Sequence, residues 1–153
     1  MAWKFRLGTF FSDMLAPEAP EDDNIFVGMT GEDVIETGTN TDFVYAGSNN
    51  DTIIMNAGYN HVFGGRNNDT FVINSVDSAG GYSVNYIGDF THGEDVIDVS
   101  DTGATSMYDI NINFYEGYLE FYVKEQRVVL TGVEELTADD FDFYVPPADD
   151  LIA

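Results

Sequence analysis

From Ala19 to Val72 the chain repeats every nine residues. Cut at that interval it reads EDDNIFV, GMTGEDVIE, TGTNTDFVY, AGSNNDTII, MNAGYNHVF and GGRNNDTFV, with Ala19 and Pro20 completing the first block. The sixth position holds Asn24, Asp33, Asp42, Asp51, Asn60 and Asp69, and the eighth holds Phe26, Ile35, Val44, Ile53, Val62 and Phe71. Glycine or asparagine recurs at the second and fourth positions, as in Gly38, Gly47 and Gly65, or Gly31, Asn49 and Asn67. Few folds accept such a period. Six residues make a turn whose left-handed backbone glycine and asparagine tolerate. Three make a very short strand with its one large apolar residue pointing inward. Two blocks complete one coil of a flattened helix, so equivalent residues of alternate blocks stack.

Stacking sorts the sixth positions into two columns. Asn24, Asp42 and Asn60 form the first, and Asp33, Asp51 and Asp69 the second. The repeat resumes imperfectly after Val72, so that Asn85-Tyr86-Ile87 extends the first column and Asp95-Val96-Ile97 the second. Strands stack about 4.8 Å apart. Bare carboxylates at that spacing repel by roughly 1 kcal/mol per pair even in water. A hard cation that takes six to eight oxygen ligands reverses the sign of that interaction. The all-aspartate column therefore asks for calcium. The mostly asparagine column does not, because neutral amides can hydrogen-bond up the stack.

Charge points the same way. The 153 residues include 28 acidic and 5 basic ones, a formal net charge of -23, which argues against a nucleic-acid partner. A content of 44% hydrophobic and 14% aromatic residues argues against disorder. A folded cation binder remains. Cysteine is absent, which fits a secreted calcium protein. No apolar run reaches transmembrane length, and the N-terminus has Lys4 and Arg6 but no long apolar core, which makes it a poor signal peptide.

Outside the repeats three regions stand out. Residues 1–18 carry Trp3, Phe5, Leu7, Phe10, Phe11, Met14 and Leu15, and prolines at 17 and 20 then mark a linker. The segment reads either as a cap on the open end of the coil or as a docking peptide, and the prolines argue against simple continuation of the coil. Residues 19–100 make the repeat domain, in which Gly80-Gly81 marks an inserted loop. Residues 101–153 follow. Alternation over 108–131, with turns near Glu116-Gly117 and Lys124-Glu125, predicts three antiparallel strands. Thr137-Ala138-Asp139-Asp140 predicts one short helical turn ending near Phe141, and the tail PPADDLIA reads as extended. On the first-column sheet the outward residues are Ile25, Val27, Phe43, Tyr45, His61 and Phe63, a face too apolar to leave in water. We expect it to be covered by the chain's own ends or by a partner, with Phe43, Tyr45 and Phe63 as the receiving surface for residues 1–18.

The repeats match G-G-x-G-x-D-x-U-x, with U a large apolar residue, and here the sequence resembles the RTX family of type I secreted calcium-binding proteins. Asn68-Asp69-Thr70-Phe71-Val72 looks like the family's usual last repeat. Ile87-Gly88-Asp89-Phe90, Gly93 to Ser100, Val129 to Val133 and Leu136 to Phe141 are similar to the C-terminal module of serralysin-type proteases. Asp150-Leu151-Ile152-Ala153 resembles the ending of many type I secretion signals. The resemblance implies an all-β fold, a right-handed parallel β-roll closed by a small antiparallel region with one short helical turn. It also implies calcium between stacked loops. Carried onto this chain, one site takes Met29, Gly31 and Asp33 with Ala46, Ser48 and Asp51. A second takes Gly47, Asn49 and Asp51 with Gly64, Arg66 and Asp69. A third takes Gly65, Asn67 and Asp69 with Asp89 and Asp95. The asparagines at 24, 60 and 85 depart from the family's aspartates, which leaves calcium on that edge open.

No catalytic motif emerges. His61 and His92 lie in no zinc-binding spacing, no nucleophile motif appears, and the Asp95/Asp98 pair is better explained by calcium and general acidity. The reading is a non-enzymatic calcium-binding module, secreted or built into an extracellular or particle assembly. It would be a homo-oligomer or a subunit of a larger protein assembly, joined through residues 1–18 and the Phe43, Tyr45 and Phe63 face. Met1 and the aromatic N-terminus favour a complete small protein. The alternative is the secretion and folding module of a type I secreted protease, lipase or polysaccharide epimerase or lyase whose catalytic domain lies elsewhere. A third reading, a β-helical polysaccharide enzyme, would need calcium-dependent activity on an acidic polysaccharide.

Overall fold

The single large apolar residue of each block settles where the core lies. Phe26, Ile35, Val44, Ile53, Val62 and Phe71 are all fully buried, as are Ile87 and Ile97 of the imperfect coil. They stack between two facing sheets, because every other residue of a strand points to the same side. The structure, a computed structural model, describes residues 2–75 and 82–151.

The first sheet is assembled from β1 (Lys4–Leu7), β3 (Asn24–Thr30), β5 (Thr41–Ser48), β7 (Gly58–Arg66) and β9 (Ser83–Ile87), all parallel. It continues through β13 (Gln126–Thr131), β12 (Tyr118–Val123) and β11 (Ile110–Tyr115), to eight strands. The second has six parallel strands: β2 (Met14–Leu15), β4 (Val34–Glu36), β6 (Thr52–Met55), β8 (Thr70–Ile73), β10 (Val96–Asp98) and β14 (Phe141–Asp142). This is the expected parallel β-roll. Asn24 pairs with Asp42, Asp42 with Asn60 and Asn60 with Asn85, so the first column forms as read. Among the described residues no helix is long and apolar enough to cross a membrane.

Residues 1–18 depart from the sequence reading. The prolines do not end the roll; the described part of this segment is its first coil. Lys4 lies beside Asn24 and Met14 beside Val34, an offset of 20 instead of 18, because Pro17 and Glu18 lengthen the connection. Gly8 to Ala16 is a disguised repeat, with Asp13 at its sixth position and Leu15 at its eighth, packed against the core. The large apolar residues face outward. Phe10, Phe11 and Met14 are 69%, 79% and 79% exposed, so within the single chain they are not buried as expected. Arg6 takes the inward position next to Phe26 and holds Glu18 at 2.8 Å.

The C-terminal region has the three antiparallel strands and the helical turn, Ala138–Asp140, that the sequence predicts. It is less separate than the pattern implies. Strand β13 pairs parallel with β9 and β14 with β10, so residues 126–142 form a last irregular coil. The tail is not extended throughout: Ala148–Leu151 makes a turn of 3-10 helix. The Gly80-Gly81 loop and the terminal Ile152-Ala153 lie outside the described residues.

Candidate metal centre

The loops 28–33, 46–51 and 64–69 stack on one edge of the roll. Their second and fourth residues all have positive φ: Met29 (86°), Gly47 (123°) and Gly65 (107°), then Gly31 (120°), Asn49 (85°) and Asn67 (79°). The alternation of left- and right-handed backbone is what lets six residues reverse direction. Met29, Gly47 and Gly65 sit side by side, as do Thr30, Ser48 and Arg66. A side chain on Gly47 would run into the backbone of Met29, and one on Gly65 into that of Gly47. The structure thus brings Met29, Gly31, Ala46, Gly47, Ser48, Asn49, Gly64, Gly65, Arg66 and Asn67 onto three adjoining turns.

The aspartates of this edge form a continuous column. The main-chain N–H of Asp33 donates to Asp51 Oδ1 at 2.8 Å, that of Asp51 to Asp69 Oδ1 at 2.9 Å, and that of Asp69 to Asp95 Oδ1 at 2.9 Å. Each carboxylate spends one oxygen on the chain. The second oxygens of Asp33 and Asp51 are buried and have no hydrogen-bond partner. Those of Asp33 and Asp69 lie where a side chain on Gly28 or Gly64 would strike them. An ionised carboxylate left this way is costly. Burial pushes Asp51 up to about 6 and Asp69 up to about 7, the neighbouring carboxylates adding to the rise, and burial likewise raises Asp33 and Asp95.

The column closes differently at its far end. Asp89 accepts from the N–H groups of Gly64 and Gly65, at 2.9 and 2.8 Å, with both its oxygens. Asp95 accepts from Thr91 N–H at 2.8 Å with its second oxygen. In the third carried-over site the chain therefore engages both oxygens of Asp89 and of Asp95, whereas Asp33 and Asp51 each keep one unpartnered oxygen. Among the described residues no three carboxylate or imidazole side chains converge on one point. A cation here must draw on backbone oxygens as well as the column.

The opposite edge is built otherwise. Asp42 Oδ1 accepts from the main-chain and side-chain nitrogens of Asn24, at 3.0 and 2.8 Å, and Oδ2 from Gly38 N–H at 2.8 Å. Asn60 donates to Asn85 Oδ1 at 2.8 Å. The amide oxygens of Asn24 and Asn60 lack partners, but they are neutral. Gly38 and Asn40 lack the positive φ of their counterparts on the aspartate edge.

Sequence reasoning missed one member of the column. Asp13 N–H donates to Asp33 Oδ1 at 2.8 Å, and Asp13 Oδ2 accepts from Thr9 N–H at 2.6 Å and Thr9 Oγ1 at 2.9 Å. Its spacing to Leu15 and to Gly8 was the available signal. The histidines have structural surroundings. His61 stacks between Phe43 and Tyr86, at 4.8 and 4.7 Å, and His92 Nδ1 lies 2.8 Å from the buried Asp140.

The family model for the serralysin C-terminal region of peptidase M10 matches residues 23–143. The chain belongs to the serralysin C-terminal family. In this RTX β-roll family chain the match begins after the disguised first coil and ends just past β14. No curated protein matches the sequence. Among solved structures, the AlgE6R2 subunit of the Azotobacter vinelandii mannuronan C5-epimerase is similar. Its identity is 24% and its TM-score 0.49, over 93% of this chain and 94% of that one.

Proposed function

We propose that this serralysin C-terminal family chain is a calcium-binding, non-catalytic interaction module that folds with its ions and works outside the cell or on a particle surface. One observation carries the reading: the second oxygens of Asp33 and Asp51 are buried, adjacent in the column and unpartnered. Calcium would supply the positive charge and oxygen affinity that such atoms lack. Asp33, Asp51 and Asp69, with the carbonyls of Met29, Gly31, Ala46, Gly47, Ser48, Asn49, Gly64 and Arg66, are the residues that would hold it. The turn around Gly65, Asn67, Asp89 and Asp95 is the weaker candidate, since its acids already have donors. The chain's partners would be calcium and either a second copy or a larger assembly, met through residues 1–18 and the Phe43, Tyr45 and Phe63 face.

The test is a calcium titration by calorimetry and circular dichroism. Chelation should reduce β-structure and millimolar calcium restore it, because binding free energy becomes folding free energy when the unfolded chain lacks the site. A spectrum indifferent to chelator, with no heat of binding, would sink the reading.

The family description favours a second reading, a module that supplies export and calcium-triggered folding to a catalytic domain elsewhere. A reporter fused to the N-terminus of the full chain distinguishes it. Export through a type I system that depends on residues 101–153 supports that role, and export without them removes it.

A further inference from the structure

We infer that the outer face of the eight-stranded sheet is a self-association surface, through which two copies of this chain pack face to face. The inference deepens the reading of the chain as an interaction module and names a second copy as the partner.

Charge distribution is the first ground. The chain carries 28 acidic residues. Yet the outward positions of the eight strands hold one acid, Glu120, and its charge is matched by Arg127, whose Nε donates to Glu120 Oε2 at 2.7 Å. The only other charge on those positions is that arginine. A strongly anionic chain has kept one whole face neutral. A charged partner would find nothing complementary there, whereas two such faces carry no net repulsion when they meet.

Composition and shape are the second ground. The strip runs across the sheet in two rows, Phe5, Phe43 and His61 in one and Leu7, Tyr45 and Phe63 in the other. Phe43 stacks on His61 at 4.8 Å and Tyr45 on Phe63 at 4.8 Å, so the rings form stiff rows with their edges outward. The first coil covers the strip only at Phe43, where the Trp3 ring packs at 5.5 Å, and otherwise lengthens it. Phe5 and Leu7 are 61% and 59% exposed, and Tyr45 is 53% exposed. Rigid rows of this kind lose little side-chain entropy on packing.

Area is the third ground. Eight strands at about 4.8 Å spacing give a face roughly 38 Å long, and five residues per strand make it about 17 Å wide. Two copies would remove roughly 1,300 Å² from water, within the range of specific interfaces. Twisted sheets pack face to face with strands about 30° apart, and a two-fold axis near Tyr45 and His61 would set each strip on itself.

The experiment is sedimentation equilibrium on the full chain in calcium, with Tyr45→Glu beside the unaltered protein. Tyr45 directly precedes Ala46 of the aspartate edge, but its exposed side chain contributes no atom to the candidate sites, so calcium binding and circular dichroism, measured on the same samples, should be largely unchanged. The unaltered protein should sediment at twice the monomer mass and Tyr45→Glu as a monomer, with dimer affinity down at least about a hundredfold. A second variant, Thr131→Glu, puts the charge on β13, two strands beyond the aromatic rows, and should weaken the dimer less. A folded, calcium-binding protein that stays monomeric overturns the inference while leaving the calcium reading intact. A dimer untouched by Tyr45→Glu overturns it too, by placing the contact elsewhere, such as the free edge of β1. Loss of calcium binding in a protein that still forms the Tyr45-sensitive dimer would instead sink the calcium reading alone.

Discussion

The main-chain N–H of Asp51 donates to Oδ1 of Asp69 at 2.9 Å, while the second carboxylate oxygen of Asp51 is buried without a partner. The residue has two jobs in two directions. Its amide ties its own coil to the next, and its Oδ1 accepts from Asp33 of the coil before. What remains is one buried oxygen to which no group of the chain donates.

Asp51 lies between two candidate sites, and Asp42, its counterpart on the other edge, lies in none. Asp51→Asn should lower calcium stoichiometry by more than one ion and weaken the calcium-bound fold. Asp42→Asn should leave stoichiometry on the aspartate edge intact. It turns one acceptor toward a donor, either Gly38 N–H or the nitrogens of Asn24, and should cost about 1–2 kcal/mol. Calorimetric titration of both variants decides; equal loss of calcium in the two would show the edge assignment to be wrong.

Protons should compete with calcium on this edge. Asp51 and Asp69 are raised by burial to about 6 and about 7 from an ordinary value of 3.8. Without calcium, the folded state holds protons that the unfolded state has released across the window from about 4 to 7, so metal-free stability falls as pH rises through it. Calcium needs the ionised form, so its affinity should climb over the same window and then level. We expect binding at least about tenfold weaker near pH 5 than near pH 8, while the metal-free protein melts higher near pH 5. Melting curves with and without chelator at the two pH values test both signs at once.

The period of nine made the inner residues legible, since a lone large apolar residue at each eighth position has only the core to enter. It also made the aspartate column legible, and alternation alone marked β11, β12 and β13. Alternation does not name a strand's neighbour, which is why the parallel join of β13 to β9 was hidden. The first coil was hidden for a different reason. Thr9 and Phe11 stand where glycine or asparagine marks the other repeats, and Pro17 with Glu18 shifts the frame by two residues. Sequence marks Asp89 as a candidate ligand but does not reveal that the amides of Gly64 and Gly65 donate to it.

Gly47 and Gly117 separate two costs of replacing glycine. Both have positive φ, 123° and 85°. A Cβ at Gly117 meets nothing within 4 Å, so Gly117→Ala should lose only the backbone preference, about 1 kcal/mol. A Cβ at Gly47 would overlap the carbonyl of Met29 in the adjoining coil, and neither backbone can retreat without parting β3 from β5. Gly47→Ala should cost about 3 kcal/mol or more and reduce calcium affinity with it. Denaturant unfolding in calcium measures the difference; similar losses in the two variants would mean that the loops are not held in contact.

Asp13 offers a test of whether the disguised first coil belongs to the roll. Its Oδ2 accepts from Thr9 N–H and Oγ1, closing the turn from Gly8 to Asp13, while its own N–H donates to Asp33. Asp13→Ala removes the turn's acceptor and keeps the donor. The turn should loosen by about 1–2 kcal/mol, and Thr9 N–H should exchange with solvent correspondingly faster. The amide of Val34, which donates to Asp13 O at 2.9 Å, should be disturbed less. Deeper coils, from β5 onward, should keep their protection, because an end coil of a repeat fold touches one neighbour only. Asp13→Asn, which retains one acceptor, should fall between the two. Uniform acceleration across every strand would instead make the first coil part of one cooperative unit. No change at Thr9 would mean that the edge strand is held by β3 alone, and that Asp13 stands in the column without supporting it.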